Sequence, residues 1–224
     1  MTIDLQSGTR AGRQPAELPF PGFGPEDFDV FAVPGLEGRM SALIERVRPK
    51  LAMLGERLTP YLTVRCGEEM FPHVAKHARR TINAPNDTWV AFANNKRGYK
   101  AHPHFQIGMF GTHLFVLFAV IYESTNKDVL ARNGLKKLNE IRTTIPNHFV
   151  WSGDHMQPEA TRHDAMKKAD LEALFKRLQT VKASELLCGI HIDRNDPIAA
   201  DGEAFIAKAE ETFDTLMPLY RMAF

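Results

Sequence analysis

The fold of this chain is decided by residues 104–122, which read HFQIGMFGTHLFVLFAVIY. Along residues 104–110 large apolar side chains alternate with polar or small ones, a period of two that is typical of a β-strand. Residues 114–122 are almost continuously β-branched and aromatic, which predicts a central strand buried on both faces. The connection Gly111-Thr112 is short enough for a hairpin, so the two strands are predicted to run antiparallel.

Working outward, residues 88–93 add a third strand and complete an antiparallel meander over about 88–122. A further strand is predicted at about 186–192, and a short one near residues 149–151. Apolar side chains at three- and four-residue steps predict helices on both sides of these strands. The predicted fold class is therefore α+β: one domain with a mainly antiparallel sheet packed against several helices. The predicted helices cover residues 36–62, with a kink or two abutting helices at Pro49, and residues 72–81, 127–142, 170–181 and 202–221, with a short helix from Pro25.

The chain divides into a lead-in and one domain. Residues 1–24 are punctuated by glycine and proline and have no helical or strand period, which predicts a flexible lead-in. Residues 25–224 contain no long polar or low-complexity linker, so they are predicted to share one core. Hydrophobic content of 44% and charged content of 25% are ordinary for a globular domain.

Several features predict a cytoplasmic protein without a membrane segment. The N-terminus lacks the apolar region of a signal peptide. The longest apolar run, Leu114–Tyr122, is far shorter than the ~20 residues of a membrane-spanning helix. The chain has only two cysteines, Cys66 and Cys188, which fits a reducing compartment.

The charge of the chain is unevenly distributed. Formal net charge is only +1 for all 224 residues, yet the stretch from Pro72 to His104 holds six basic residues and a single carboxylate, Asp87. A local positive field of this kind attracts anionic partners. A solvated cluster of surface charges is the alternative explanation.

The basic stretch contains the predicted binding groove. Residues 72–81 are predicted to form a helix that presents four polar side chains on one face, since their spacing is i, i+3, i+4 and i+7. The turn at residues 94–100 joins two predicted strands, a place where binding residues commonly project. The predicted ligand is a nucleotide or another phosphorylated small molecule. The groove residues are His73, Lys76, Arg80, Asn94, Asn95, Lys96, Arg97 and Tyr99, together with His77 and His104.

Two other functions remain open at this stage. The first is an enzyme, a transferase or hydrolase, in which His77 or His104 moves a proton with Glu123 as partner. The dipeptide Asp154-His155 is a weaker candidate, because neighbouring side chains rarely face each other. The second is an RNA- or protein-interaction module. RNA is the less favoured partner, because the basic stretch has few aromatic side chains besides Tyr99 on which bases could stack.

No metal site is predicted, and the sequence does not identify a cofactor. His73 and His77 have a spacing that could share a metal on a helix. The pair lacks the glutamate of an HExxH motif. Lys76 and the neighbouring arginines would also repel a dication. The common nucleotide-binding, serine-hydrolase and CxxC motifs are missing from the sequence.

Several runs of residues resemble the YktB-like family, a bacterial family of unassigned function. The resemblance covers about residues 25–221 and implies one α+β domain. It also implies a sheet similar to that of biotin-ligase and class II synthetase domains, which hints at adenylate chemistry on fold analogy alone. It implies no catalytic residue. The runs are FPHVAKHARR (71–80), WVAFANNKRGYK (89–100), PHFQIG (103–108), RLQTV (177–181) and ELLCGI (185–190).

Overall fold

A computed structural model describes residues 19–224 of the protein. Their centre is a seven-stranded sheet in which every neighbouring pair runs antiparallel. The strands are β1 (Phe71–Val74), β2 (Asp87–Ala93), β3 (His104–Phe110), β4 (His113–Val120), β5 (Val150–Ser152), β6 (Thr161–Arg162) and β7 (Leu186–Asp193). Their order across the sheet is β1-β2-β3-β4-β7-β5-β6. The predicted α+β class with a mainly antiparallel sheet is confirmed.

The predicted meander is present as β2, β3 and β4. In the hairpin of β3 and β4, Met109 pairs with Leu114. All eight residues of β4 are buried, as expected of a central strand. Strand β7 comes late in the sequence but lies between β4 and β5, so the sheet is completed by a distant part of the chain.

The helices that carry most of the packing lie on one face of this sheet. Helix α3 packs on β1 and β2, α8 packs on β3 and β4, and α3 and α8 contact each other. Helix α8 has the bounds that its apolar periodicity predicts. The helices are α1 (Pro25–Asp29), α2 (Leu36–Ala42), α3 (Arg48–Cys66), α4 (Lys127–Lys136), α5 (Leu138–Thr144), α6 (Lys168–Thr180), α7 (Pro197–Ala200) and α8 (Gly202–Arg221).

Two of the predicted long helices are interrupted. A π-helical segment, Leu43–Val47, separates α2 from α3 immediately before Pro49. Proline cannot donate the helical hydrogen bond, so the backbone there adopts the wider turn. The helix predicted over residues 127–142 is broken at Lys137, where α4 ends and α5 begins.

The two faces of the sheet differ in what covers them. The helical face holds the main core, in which Phe105 stacks on Tyr220 with ring centroids 5.1 Å apart. The opposite face, called here the loop face, carries a second apolar cluster that includes Phe115 and Leu117. Trp89 of β2 and Tyr99 of the loop between β2 and β3 pack against that cluster. Residues on the loop face are therefore held by a rigid sheet, a setting in which binding residues are commonly found.

The prediction of a helix over residues 72–81 is wrong. Residues 71–74 form β1, which pairs with β2 in the register Phe71 to Ala93, and the chain then continues as a loop. Pairing with β2 satisfies the backbone polar groups of this segment, whereas its thin apolar face would have buried little as a helix. As a result, His73, Lys76, His77 and Arg80 do not share a helix face.

The lead-in predicted for residues 1–24 lies largely outside the described residues. Its last part is not a flexible extension, because Phe20 and Phe23 are buried in the core. Their rings contact each other at 5.5 Å, and that of Phe23 contacts Phe205 of α8 at 5.7 Å. The packed region thus begins before Pro25.

Within residues 19–224, none of the helices has the length and apolar composition needed to cross a bilayer. Cys66 and Cys188 are both free thiols. Burial raises the pKa of the Cys188 thiol well above its ordinary value, in agreement with a core position.

Candidate functional site

A cavity of about 720 Å³ opens on the loop face beside β1 and β2, and it is called here the basic pocket. Its walls come from the loop that follows β1 and from the loop that joins β2 to β3. The sequence folds this way locally because β1 ends at Val74, after which Ala75 makes one more backbone hydrogen bond to Trp89 and the chain leaves the sheet. The lining residues are 73–80, Trp89, Asn95, 97–102 and Glu123.

Two aromatic side chains form the floor of the basic pocket. The indole nitrogen of Trp89 donates a hydrogen bond to the hydroxyl of Tyr99 over 3.0 Å, which fixes both rings. The imidazole of His77 contacts Trp89 edge-on at 5.5 Å, and that of His73 lies 5.8 Å from the Tyr99 ring. Burial raises the pKa of Tyr99 to about 12, so its hydroxyl stays protonated at neutral pH.

The cations of the pocket are mostly without a counter-charge. Lys100 pairs with Glu123 over 3.1 Å. Over the part of the chain that the structure describes, Lys76, Arg79, Arg80 and Arg97 form no ion pair with a carboxylate. Arg79 lies near Glu123, whose pKa is lowered: burial would raise it, but Lys100 and other partners outweigh that effect. The pocket therefore presents positive charge that internal carboxylates leave largely unbalanced.

The predicted binding residues divide between this pocket and other surroundings. Asn94 turns away and donates a hydrogen bond to Glu68 over 2.8 Å. Lys96 is exposed but does not line the pocket, unlike its neighbour Arg97. Asn95 accepts from the backbone nitrogen of Arg97 and so shapes the turn. The predicted residues that do line the pocket are His73, Lys76, His77, Arg80, Asn95, Arg97, Tyr99 and Glu123.

His104 lies beneath the pocket, sealed by Tyr99. Their ring centroids are 4.8 Å apart, and His104 has no exposed surface. Its Nδ1 donates to the carbonyl of His102 and its Nε2 accepts from Gln106, both over 2.8 Å. Burial lowers the pKa of His104 to about 4, so the imidazole is neutral and both nitrogens are engaged. In this geometry it holds the floor of the pocket and is shielded from a ligand.

The predicted acid–base residues are not brought together. His77 lies in the loop after β1 with a left-handed φ of 50°, and its Nε2 is 3.3 Å from the hydroxyl of Thr88. Burial and the neighbouring arginines lower its pKa to about 4. Glu123 binds Lys100 and contacts neither His77 nor His104 by a hydrogen bond.

A different histidine has the geometry of an oriented acid–base group. His155, in the loop after β5, donates its Nδ1 hydrogen to Glu185 over 2.7 Å. Burial opposes the charged imidazole, but the bond and charge of Glu185 outweigh it and raise the pKa of His155. The sequence indicates Asp154-His155 only as a dipeptide and does not indicate that Glu185 is the partner of His155. The register in which Ser152 pairs with Leu187 places residue 154 opposite residue 185, a signal available only once β5 and β7 are paired.

Asp87 is the one carboxylate of the basic stretch. It is 2% exposed, and its Oδ1 has no hydrogen-bond partner. Burial raises its pKa to about 6, which the charges of His155 and Arg80 only partly offset. Trp89, two residues further along β2, contacts the His155 ring at 6.4 Å. Asp87 and His155 therefore border the same region of the loop face.

A second cavity, of about 530 Å³, lies between β5 and α6. It contains none of the predicted site residues. Its charged lining residues are Glu159, Asp170 and Arg177, so its formal net charge is −1. The basic pocket is the better candidate for an anionic ligand.

Comparison with known proteins identifies relatives that are matched over most of their length and whose names state no activity. The family described as "Domain of unknown function (DUF1054)" matches residues 23–220. A UPF0637 protein of Bacillus velezensis is 52% identical over 200 residues, which covers 89% of this chain and 95% of the relative. UPF0637 proteins of Bacillus cereus and Bacillus cytotoxicus are 52% and 51% identical over 200 residues, each covering 89% of this chain and 96% of the relative. The matched region begins at Phe23, in agreement with the packing of that residue.

Proposed function

Because this chain belongs to the family of domains of unknown function DUF1054, whose name states no activity, we propose its function from the pocket: the protein binds a small phosphate-bearing ligand, a nucleotide or phosphorylated metabolite, in the cytoplasm. The observation that carries the proposal is the group of cations around the basic pocket that form no ion pair with a carboxylate of residues 19–224. Arginine side chains present paired N–H donors that match phosphate oxygens, and such charge-assisted bonds are the strong ones.

The shape of the pocket favours a small ligand over RNA. Its volume of about 720 Å³ falls within the range of small-molecule sites. Trp89 and Tyr99 lie side by side at its floor and could stack one aromatic ring of a ligand. Single-stranded RNA is commonly held on a row of such platforms along a groove.

Lys96 and Arg97 provide a matched pair of variants for the test. They are adjacent, exposed and equally charged, but only Arg97 lines the pocket. Binding of ADP, AMP, pyrophosphate and sugar phosphates would be screened by thermal shift in EDTA, and affinities for any hit measured by calorimetry. A ligand at ~100 times its Kd stabilises the folded state by about 2.7 kcal/mol.

For such a hit, Arg97→Glu is expected to weaken binding by roughly 10–100-fold, since a hydrogen bond to a charged group contributes about 1.5–3 kcal/mol. Lys96→Glu should change the affinity by less than about threefold in 0.15 M salt. Lys96 lies outside the pocket lining, and salt screens exposed charges that do not contact the ligand. Equal losses in both variants would instead indicate a diffuse surface interaction, as would a steep dependence of affinity on salt. A screen without any hit would contradict the proposal for these ligand classes.

A further inference from the structure

Three side chains at the edge of the loop face have metal-ligand chemistry. Asp154, His155 and Glu185 each offer one ligand atom, and these atoms lie within 4.8 Å of one another. The sheet brings them together: Asp154 and His155 follow β5, and Glu185 directly precedes β7, its neighbour. The cluster depends on strand register over 30 residues of sequence and is therefore built into the fold.

The cluster is held in place by Glu185. Its side chain is only 4% exposed, and its Oε2 accepts hydrogen bonds from the backbone nitrogen and the Nδ1 of His155 over 2.9 and 2.7 Å. Its Oε1 accepts from the backbone nitrogen of Tyr122 over 3.3 Å. Asp154 uses its Oδ1 to accept from Met156, which leaves its Oδ2 without a hydrogen bond from the described residues.

The surroundings of Asp87 independently indicate a cation site in this region. It is 2% exposed, its Oδ1 lacks any donor, and His155 is the foremost of the charges that act on it. A buried carboxylate oxygen without a partner is costly. With Asp87 included, three carboxylates act electrostatically on the imidazole of His155, next to a pocket whose other walls are basic.

We propose that Asp154, His155 and Glu185 bind a divalent transition-metal ion beside the basic pocket, near the buried Asp87 of β2. One imidazole nitrogen and two carboxylates are the ligand types of Zn²⁺ and Mn²⁺ sites that keep open positions. The open positions are available to water or to an oxygen of a ligand in the pocket. The inference goes beyond the proposed function and does not require it, since the ion needs no anion to bind.

Metal binding competes with a proton in this cluster. The hydrogen that His155 Nδ1 shares with Glu185 must leave when the ion takes its place, because a metal ligand has to be deprotonated. Affinity should therefore rise with pH. The ionisable groups that act on His155 are Asp87, Asp154 and Glu185, and His155 in turn acts on His104.

The test is calorimetric titration of the EDTA-treated, dialysed full-length protein with Zn²⁺ in a phosphate-free buffer, with Mn²⁺ followed by electron paramagnetic resonance. The wild type should bind one ion per chain. Asp154→Asn should weaken binding by at least about tenfold, since even loss of an outer-shell partner costs 10–100-fold. Asp154 is exposed, and an asparagine oxygen can still accept from Met156, so this variant should fold. His155→Gln and Glu185→Gln should lose binding.

The matched control is Asp164→Asn. Asp164 also stands next to a histidine, His163, but its carboxylate pairs with Arg162 over 2.6 Å and belongs to no such cluster. The control should bind like the wild type. Absence of binding, or equal binding by Asp154→Asn and the control, would overturn the inference and leave Glu185 as a structural anchor of the loop. Because the anion screen is run in EDTA, failure of one proposal leaves the other intact.

Discussion

The buried carboxylate of Asp87 makes the stability of the protein depend on pH in an identifiable way. Its pKa is raised from 3.8 to about 6, first by burial. The folded state therefore binds this proton more tightly than the unfolded state does. The stabilisation of the folded state by this proton is fully present below about pH 4 and is lost as the pH rises through about 6.

Asp87→Asn removes the charge and keeps the shape. In EDTA at pH 7.5 the variant should be more stable than the wild type, by at most about 3 kcal/mol, since each pKa unit corresponds to about 1.4 kcal/mol. The difference should shrink towards pH 4, where the wild-type carboxyl is protonated. Urea unfolding at half-unit pH steps measures it. A difference that is the same at every pH would show that the charge of Asp87 is not responsible.

Individual residues of the candidate site could be predicted by type but not by position. Arg97 lines the pocket and Lys96 does not, and Asn95 lines it while Asn94 binds Glu68. Neighbouring residues of like chemistry are equivalent in a composition argument, whereas the turn at residues 94–100 points them in different directions. The link between His155 and Glu185 was likewise out of reach, because it depends on the pairing of β5 with β7.

At the scale of elements, helix propensity and packing predict opposite effects for a substitution of Gly134. It lies within α4, where sequence considerations alone make glycine a weak point that alanine should improve by up to about 1 kcal/mol. A Cβ at this position would lie 2.3 Å from the ring of Phe175 in α6. The glycine therefore allows α4 and α6 to approach closely.

Gly134→Ala is expected to destabilise the protein by about 1–2 kcal/mol, because an overpacking cost of about 1–3 kcal/mol exceeds the gain in propensity. Thermal or urea unfolding measures the change. Combining it with Phe175→Leu should cost less than the sum of the two single changes, as expected for residues in contact. Stabilisation by the single variant would contradict the packing argument.

Elements with a strong period were predictable, and the error at residues 72–81 has a physical cause. The meander and α8 have local signals that agree with their surroundings. In residues 72–81 the polar side chains happen to repeat at helical steps, while the free backbone edge of β2 offers Phe71–Val74 a ladder of hydrogen bonds. Pairing with β2 makes Phe71–Val74 a strand, and the periodicity of the sequence carries no information about such pairing between separate segments.

For the molecule as a whole, the described residues just before α1 are part of the core. Phe20 and Phe23 are 3% and 1% exposed, and both rings contact Phe205. A chain of residues 25–224 is therefore expected to be less stable than one of residues 19–224, by about 5 kcal/mol or more. The basis is the roughly 3–5 kcal/mol lost when one buried phenylalanine is truncated. Calorimetric comparison of the two chains tests this, and equal stabilities would place the boundary at Pro25 after all.

The position of β7 between β4 and β5 has a consequence for biosynthesis. When synthesis has reached residue 185, the chain contains β4, the most apolar strand, but not the neighbour that covers one of its edges. Helix α8, which covers the same strand on the helical face, is made later than β7. Until then the nascent chain displays an open, apolar strand edge, the feature on which aggregation is templated. Prematurely terminated chains of this protein are thus natural clients for chaperones and proteases.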